Sequence, residues 1–175
     1  MLTREQNDFL TQASPGTPMG RLFRSYWIPA LLASELPTRD CPPIRIELLS
    51  EKLLAWRDSQ GRYSLIDEFC AHRRTSLWLG RNEEDGLRCP YHGWKYDHSG
   101  QCVEIPSEPE GSRVCDKVKL KSYPLVKRGD VLWAYMGPPE LEPPQPEWEF
   151  CTVPSSHSYT SRRLQECNWL QGLEG

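Results

Sequence analysis

Through the middle of the chain, apolar and polar residues alternate in short runs. Ile44-Arg-Ile-Glu-Leu-Leu49 has a period of two, the mark of a strand with one buried face. Lys52-Leu-Leu-Ala-Trp-Arg57 follows a short turn, and Asp58-Ser-Gln-Gly61 turns the chain again before a strand at Tyr63–Ile66. Leu87-Arg-Cys89, Trp94–Asp97 and Gln101–Ile105 continue the series, with a turn at Asp97-His-Ser-Gly100. Val118–Val126 and Asp130–Met136 flank Lys127-Arg-Gly129. Turn signals at this density predict a mainly β domain, an antiparallel sandwich, over residues 44–137.

The flanks differ. Thr3-Arg-Glu-Gln6 is a capping box that predicts a helix to about Ala13, ended by Ser14-Pro15-Gly16. Residues 17–43 are apolar patches broken by five prolines and read as extended chain, so that 1–43 forms a helix and a wrapping segment. Residues 138–146 are Pro-rich, a stiff linker. Beyond it, 147–175 reads as the start of an α+β domain cut short, with a strand at Ser158–Leu164 and a helix beginning near Glu166.

Two loops between the central strands carry the candidate chemistry. Cys70-Ala-His72 is followed, after sixteen residues, by Cys89-Pro-Tyr-His92-Gly-Trp94. Each loop offers one thiolate and one imidazole. A [2Fe–2S] cluster of the Rieske type needs that set, because two His replace two Cys on one of its irons. The i, i+2 spacing of Cys70 and His72 puts both side chains on one side of an extended loop. The i, i+3 spacing of Cys89 and His92 suits a tight turn, stiffened by Pro90. Gly93 is expected to let a backbone N–H approach a cluster sulfide. The rival reading is structural zinc, but zinc modules usually pair like ligands, and here each pair is mixed.

Cys70-Ala-His-Arg-Arg-Thr-Ser-Leu77, Gly86-Leu-Arg-Cys-Pro-Tyr-His-Gly-Trp-Lys-Tyr96 and Ile105-Pro-Ser-Glu-Pro109 together resemble the oxygenase (α) subunits of Rieske non-haem iron aromatic-ring-hydroxylating dioxygenases. Pro18-Met-Gly-Arg-Leu-Phe-Arg-Ser-Tyr-Trp-Ile-Pro29 and Asn168-Trp-Leu-Gln-Gly-Leu-Glu-Gly175 resemble the phthalate dioxygenase-like branch. The resemblance implies cluster ligands Cys70, His72, Cys89 and His92. It implies one-electron transfer from a flavin- or ferredoxin-type reductase to a mononuclear Fe(II), which a 2-His-1-carboxylate triad beyond Gly175 would hold. It also implies an aromatic substrate, neighbouring oxygenase subunits in a homotrimer or a multiple of it, and electron transfer alone from these 175 residues. In respiratory Rieske proteins each ligand loop carries a further Cys, and a Ser follows the Gly. Thr75, Tyr91 and Trp94 stand at those places, which implies a low potential, on the order of −150 mV. A stand-alone Rieske ferredoxin is the alternative, although its family lacks the N-terminal segment and the Pro-rich stretch.

The remaining composition removes other classes. A net charge of −3 gives no electrostatic footprint for nucleic acid. The most apolar stretch, Tyr26–Ala33, is too short to span a bilayer, and the first residues lack the apolar region of a signal peptide, so a cytoplasmic protein is expected. Cys41, Cys102, Cys115, Cys151 and Cys167 are then expected as free thiols. His98 and His157 read as turn or surface residues.

Overall fold

The computed structural model describes residues 2–174. The antiparallel β fold is observed, and it is built as three sheets. The middle sheet runs β2 (Ile44–Leu48), β3 (Glu51–Arg57), β4 (Tyr63–Asp67) and β9 (Ser122–Tyr123). On one side lies β1 (Trp27–Leu32) with β11 (Val131–Tyr135) and β10 (Leu125–Arg128). On the other lies a meander of β5 (Arg81–Glu83), β6 (Gly86–Arg88), β7 (Lys95–Asp97) and β8 (Cys102–Glu104).

Side-chain alternation explains the layering. On β3, Leu53 and Ala55 join the core shared with Leu31, Leu65, Leu132 and Ala134. Their neighbours Leu54 and Trp56 join a second core with Ile66, Leu77, Leu87 and Tyr96. Successive strand residues point to opposite faces, so a strand covered on both faces reads as the unbroken apolar run Leu-Leu-Ala-Trp. A third cluster, Trp27, Val131, Trp133 and Tyr135, lies on the outer side of β11, where Trp148 packs on Trp133 with ring centroids 4.7 Å apart.

Three local expectations change. α1 (Arg4–Thr11) has the predicted Thr3–Gln6 capping box, but 17–43 is more than extended chain. Thr17 caps α2 (Pro18–Arg24) by accepting from Gly20 N, and Pro18 stands in the first turn, where its missing N–H is harmless. β1 is extended chain packed on the core, and it also pairs with β11. Ser158–Leu164 forms no strand: no described strand pairs with it, and Tyr159 and Leu164 are exposed. Short helices flank it, α3 (Glu149–Thr152) before and α4 (Trp169–Glu174) after, the second where a helix was expected. No described helix is long and apolar enough to cross a membrane.

One carboxylate ties the N-terminal helices to the sheet. Glu51 accepts from Arg24 Nη2 (2.8 Å), Lys121 Nζ (2.6 Å) and Tyr123 Oη (2.7 Å). Burial alone would raise its pKa; the bonds from Lys121, Arg24 and Tyr123 reverse this and hold it below its ordinary value. A carboxylate whose pKa is depressed by folding stabilises above the unfolded value and loses that contribution as pH falls through the folded one. Glu51→Gln is expected to cost about 1–3 kcal/mol near pH 7, with the difference from the native protein closing as pH falls through the depressed folded value of Glu51. Urea unfolding across that pH range measures both.

Candidate metal centre

The two ligand loops close in the same way. Cys70 N donates to Thr75 O (2.9 Å) and Arg74 N donates to Cys70 O (2.9 Å). Cys89 N donates to Trp94 O (2.8 Å) and Gly93 N donates to Cys89 O (3.1 Å). In both, the residue four after the cysteine takes a positive φ, 55° at Arg74 and 75° at Gly93. The second loop is the tip of the β6–β7 hairpin, as its flanking strands predicted. The first is not a simple hairpin tip: it crosses from β4 in the middle sheet to β5 in the meander, closed by a bridge between Phe69 and Ser76. Arg74 is held in its left-handed conformation by Asp67 (3.3 Å) and by lying over the Phe69 ring.

The closures sort the side chains by type. Cys70 and Cys89 are 1% and 3% exposed and belong to the second core. His72 and His92 stand outside, exposed, with ring centroids 4.6 Å apart. Trp94 stacks flat on His72 at 4.7 Å and 4°, and Tyr91 packs on His92 at 3.8 Å. Burial, with the adjacent Cys70, pushes the Cys89 thiol up. Desolvation, then His92 and Arg73, hold the His72 imidazole below its ordinary value, which favours its neutral form.

The surroundings fix these loops. Buried Glu68 accepts from Arg45 Nε (2.6 Å) and Ser76 Oγ (2.6 Å), and Arg45 lies over Trp78, bracing the first loop. Arg88 donates to Gly93 O (3.0 Å), to Glu83 (2.7 Å) and with two nitrogens to Glu104 (2.8 Å each), tying the second loop to β8. Tyr96 Oη accepts from Ala71 N (3.2 Å) and lies 3.2 Å from Cys70 Sγ. Its hydroxyl hydrogen is therefore the one available to a Cys70 thiolate. Sequence spacing does not reveal this role for Tyr96, because a contact between β7 and the other loop has no local signature. Gly93 also makes room for the segment after β8: a Cβ there would meet Pro106 Cγ at 2.9 Å, and its own N–H donates to Cys89 O. His98 lies in the β7–β8 turn and His157 beside Ser156 in a short C-terminal turn.

The donor set fits a two-iron cluster: two soft thiols together inside, two imidazoles together outside. A single tetrahedral ion has no use for that segregation, whereas a mixed-ligand cluster has one metal for each pair. Such an arrangement defines an iron–sulfur electron-transfer domain. The chain belongs to the Rieske [2Fe–2S] domain family, which matches residues 26–124. It is 44% identical to the phthalate 4,5-dioxygenase oxygenase subunit of Pseudomonas putida, across 100% of this chain and 40% of that protein. It is 45% identical to the 5,5'-dehydrodivanillate O-demethylase oxygenase subunit of a Sphingobium species, across 99% of this chain and 41% of that one. A crystal structure of dicamba monooxygenase with non-heme iron and dicamba is similar at a TM-score of 0.66 and 31% identity, covering 75% of this chain and 39% of that one. The chain thus spans about two fifths of the length of these curated relatives, which are oxygenase subunits of the phthalate dioxygenase type.

Gly93→Ala combines a strained φ with the Pro106 contact. It is expected to lower the iron and acid-labile sulfide bound per chain while leaving the far-ultraviolet spectrum of the sheets unchanged. Iron content equal to the native protein's would show that Pro106 yields.

Proposed function

We propose that Cys70 and Cys89 ligate one iron of a Rieske cluster and His72 and His92 the other. The observation that carries this is the sorting of buried thiols from exposed imidazoles. The cluster, when bound, supplies reversible one-electron transfer. The residues around it set the conditions. Tyr96 is pushed well above its ordinary pKa by burial and by Cys70, so it keeps its proton and offers it to the Cys70 sulfur. A hydrogen bond to a ligand sulfur stabilises the reduced, more negative state and raises the potential. Trp94 stands where a hydroxyl donor is found in the high-potential class and packs on His72 instead, which favours the low-potential reading. The two exposed imidazoles are the natural place for an electron to arrive and leave, since the thiol side lies beneath the core.

The complete protein, in this reading, is the α subunit of an aromatic-ring-hydroxylating oxygenase in the cytoplasm. A flavin- or ferredoxin-type reductase supplies its electrons. A mononuclear Fe(II) in the region this chain does not span uses them to activate O₂ against an aromatic substrate. Its subunits assemble as a homotrimer or a multiple of it. The identity to oxygenase subunits over the whole of this chain supports that role over a stand-alone ferredoxin.

Cys70→Ser and His92→Ala are each expected to abolish the visible absorption and the electron paramagnetic resonance signal of the reduced protein. Zinc without iron in anaerobically purified native protein would overturn the ligand assignment. Tyr96→Phe is expected to keep the cluster and shift its midpoint to a more negative value than the native one, itself near the low end of the Rieske range, on the order of −150 mV. Protein-film voltammetry reads both midpoints, and a native value above about +150 mV would reject the low-potential reading.

A further inference from the structure

Five cysteines lie outside the proposed ligand set, and two of them meet. Cys102 Sγ lies 3.8 Å from Cys115 Sγ and 3.7 Å from Glu104 O, both within reach of its thiol hydrogen. Cys102 begins β8, and Cys115 begins a short 3-10 turn. The chain between them, 103–114, loops over the second ligand loop: Ile105 is buried in the second core, and Pro106 occupies the space left by Gly93. The neck of this loop is firmly held. Cys102 N donates to Val118 O (2.9 Å), and Gln101 Nε2 donates to Cys115 O (2.7 Å). The two sulfurs are already in van der Waals contact, and a disulfide of about 2.05 Å requires them to close the remaining gap.

We propose that Cys102 and Cys115 form a dithiol site that a low-molecular-weight disulfide oxidises to a cross-link, closing the neck of loop 103–114. Cys115 is half-buried while Cys102 is buried, so the Cys115 sulfur meets the reagent first. Cys102 is 2% exposed, and burial pushes its thiol up to about 12, which makes it the second to react. The Cys115 sulfur attacks one sulfur of the reagent, forming a mixed disulfide and releasing one small thiol. The Cys102 sulfur then attacks Cys115 Sγ and releases the second. Two protein S–H bonds are lost and one S–S bond forms, and the two electrons and two protons leave on the two small thiols. The site stands on its own geometry and does not depend on the cluster reading.

The test uses cluster-loaded protein incubated anaerobically with glutathione disulfide, then alkylation and peptide mass mapping. The expected result is a linked pair of peptides holding Cys102 and Cys115, lighter by two hydrogens, reversed by dithiothreitol and lost in Cys115→Ser and Cys102→Ser. The cluster absorption should be unchanged, so failure of the cross-link and failure of the cluster reading are read separately. Amide exchange over 105–114 should slow several-fold on oxidation while that of β3 stays constant. Cys115 held as a glutathione adduct with Cys102 still alkylatable would overturn the proposal. So would two unreacted thiols, a bridge to any other cysteine, or unchanged exchange over 105–114.

Discussion

A hydrogen bond from a cysteine N–H to the carbonyl five residues on, made at Cys70–Thr75 and again at Cys89–Trp94, is the constraint on which the site depends. It curls each loop so that the sulfur points back into the protein and the histidine points away. One loop so closed gives one thiol and one imidazole. Two give a pair of each, provided the loops face one another. The rest of the domain supplies that condition. The first loop leaves the middle sheet, the second caps the meander, and the core of Leu54, Trp56, Ile66, Leu87 and Tyr96 presses the two sheets together beneath them.

The supporting polar groups follow the same division. Glu68, Arg45 and Ser76 brace the first loop from the middle sheet, and Arg88 with Glu83 and Glu104 braces the second from the meander. Tyr96 crosses between them, since it belongs to β7 and bonds to Cys70 and Ala71. A buried or half-buried charged group that lacks partners is costly, and each of these is paired. The two loops are thus held by separate networks that share one tyrosine.

Much of this was readable in the sequence because it is local. Ligand types and spacings, the strand periods and the Thr3–Gln6 cap all lie within a few residues of one another. What was missed is non-local or short. Arg81–Glu83 is a three-residue strand whose only argument is its pairing with β6. The prolines of 17–43 suggested extended chain, yet Pro18 after Thr17 is a helix start when the cap is considered first. Ser158–Leu164 has strand-forming residues but no partner among the described strands. The Tyr96–Cys70 bond, the Pro106–Gly93 fit and the Cys102–Cys115 contact each join residues 13 or more positions apart, as the sequence numbers show, and only the fold brings them together.

The fork of Arg88 has a further meaning. It fastens the carbonyl of Gly93 and both oxygens of Glu104 with one planar, permanently charged group, so the hairpin tip and the strand leading to its cover move as one body. A redox centre in such a frame exchanges charge with little nuclear rearrangement around it, because the dipoles that must respond are already oriented. For the proposed cluster, in the language of electron-transfer theory, the guanidinium would be a device for a small inner-protein reorganisation energy, with solvent at the exposed imidazole edge as the main medium left to adjust.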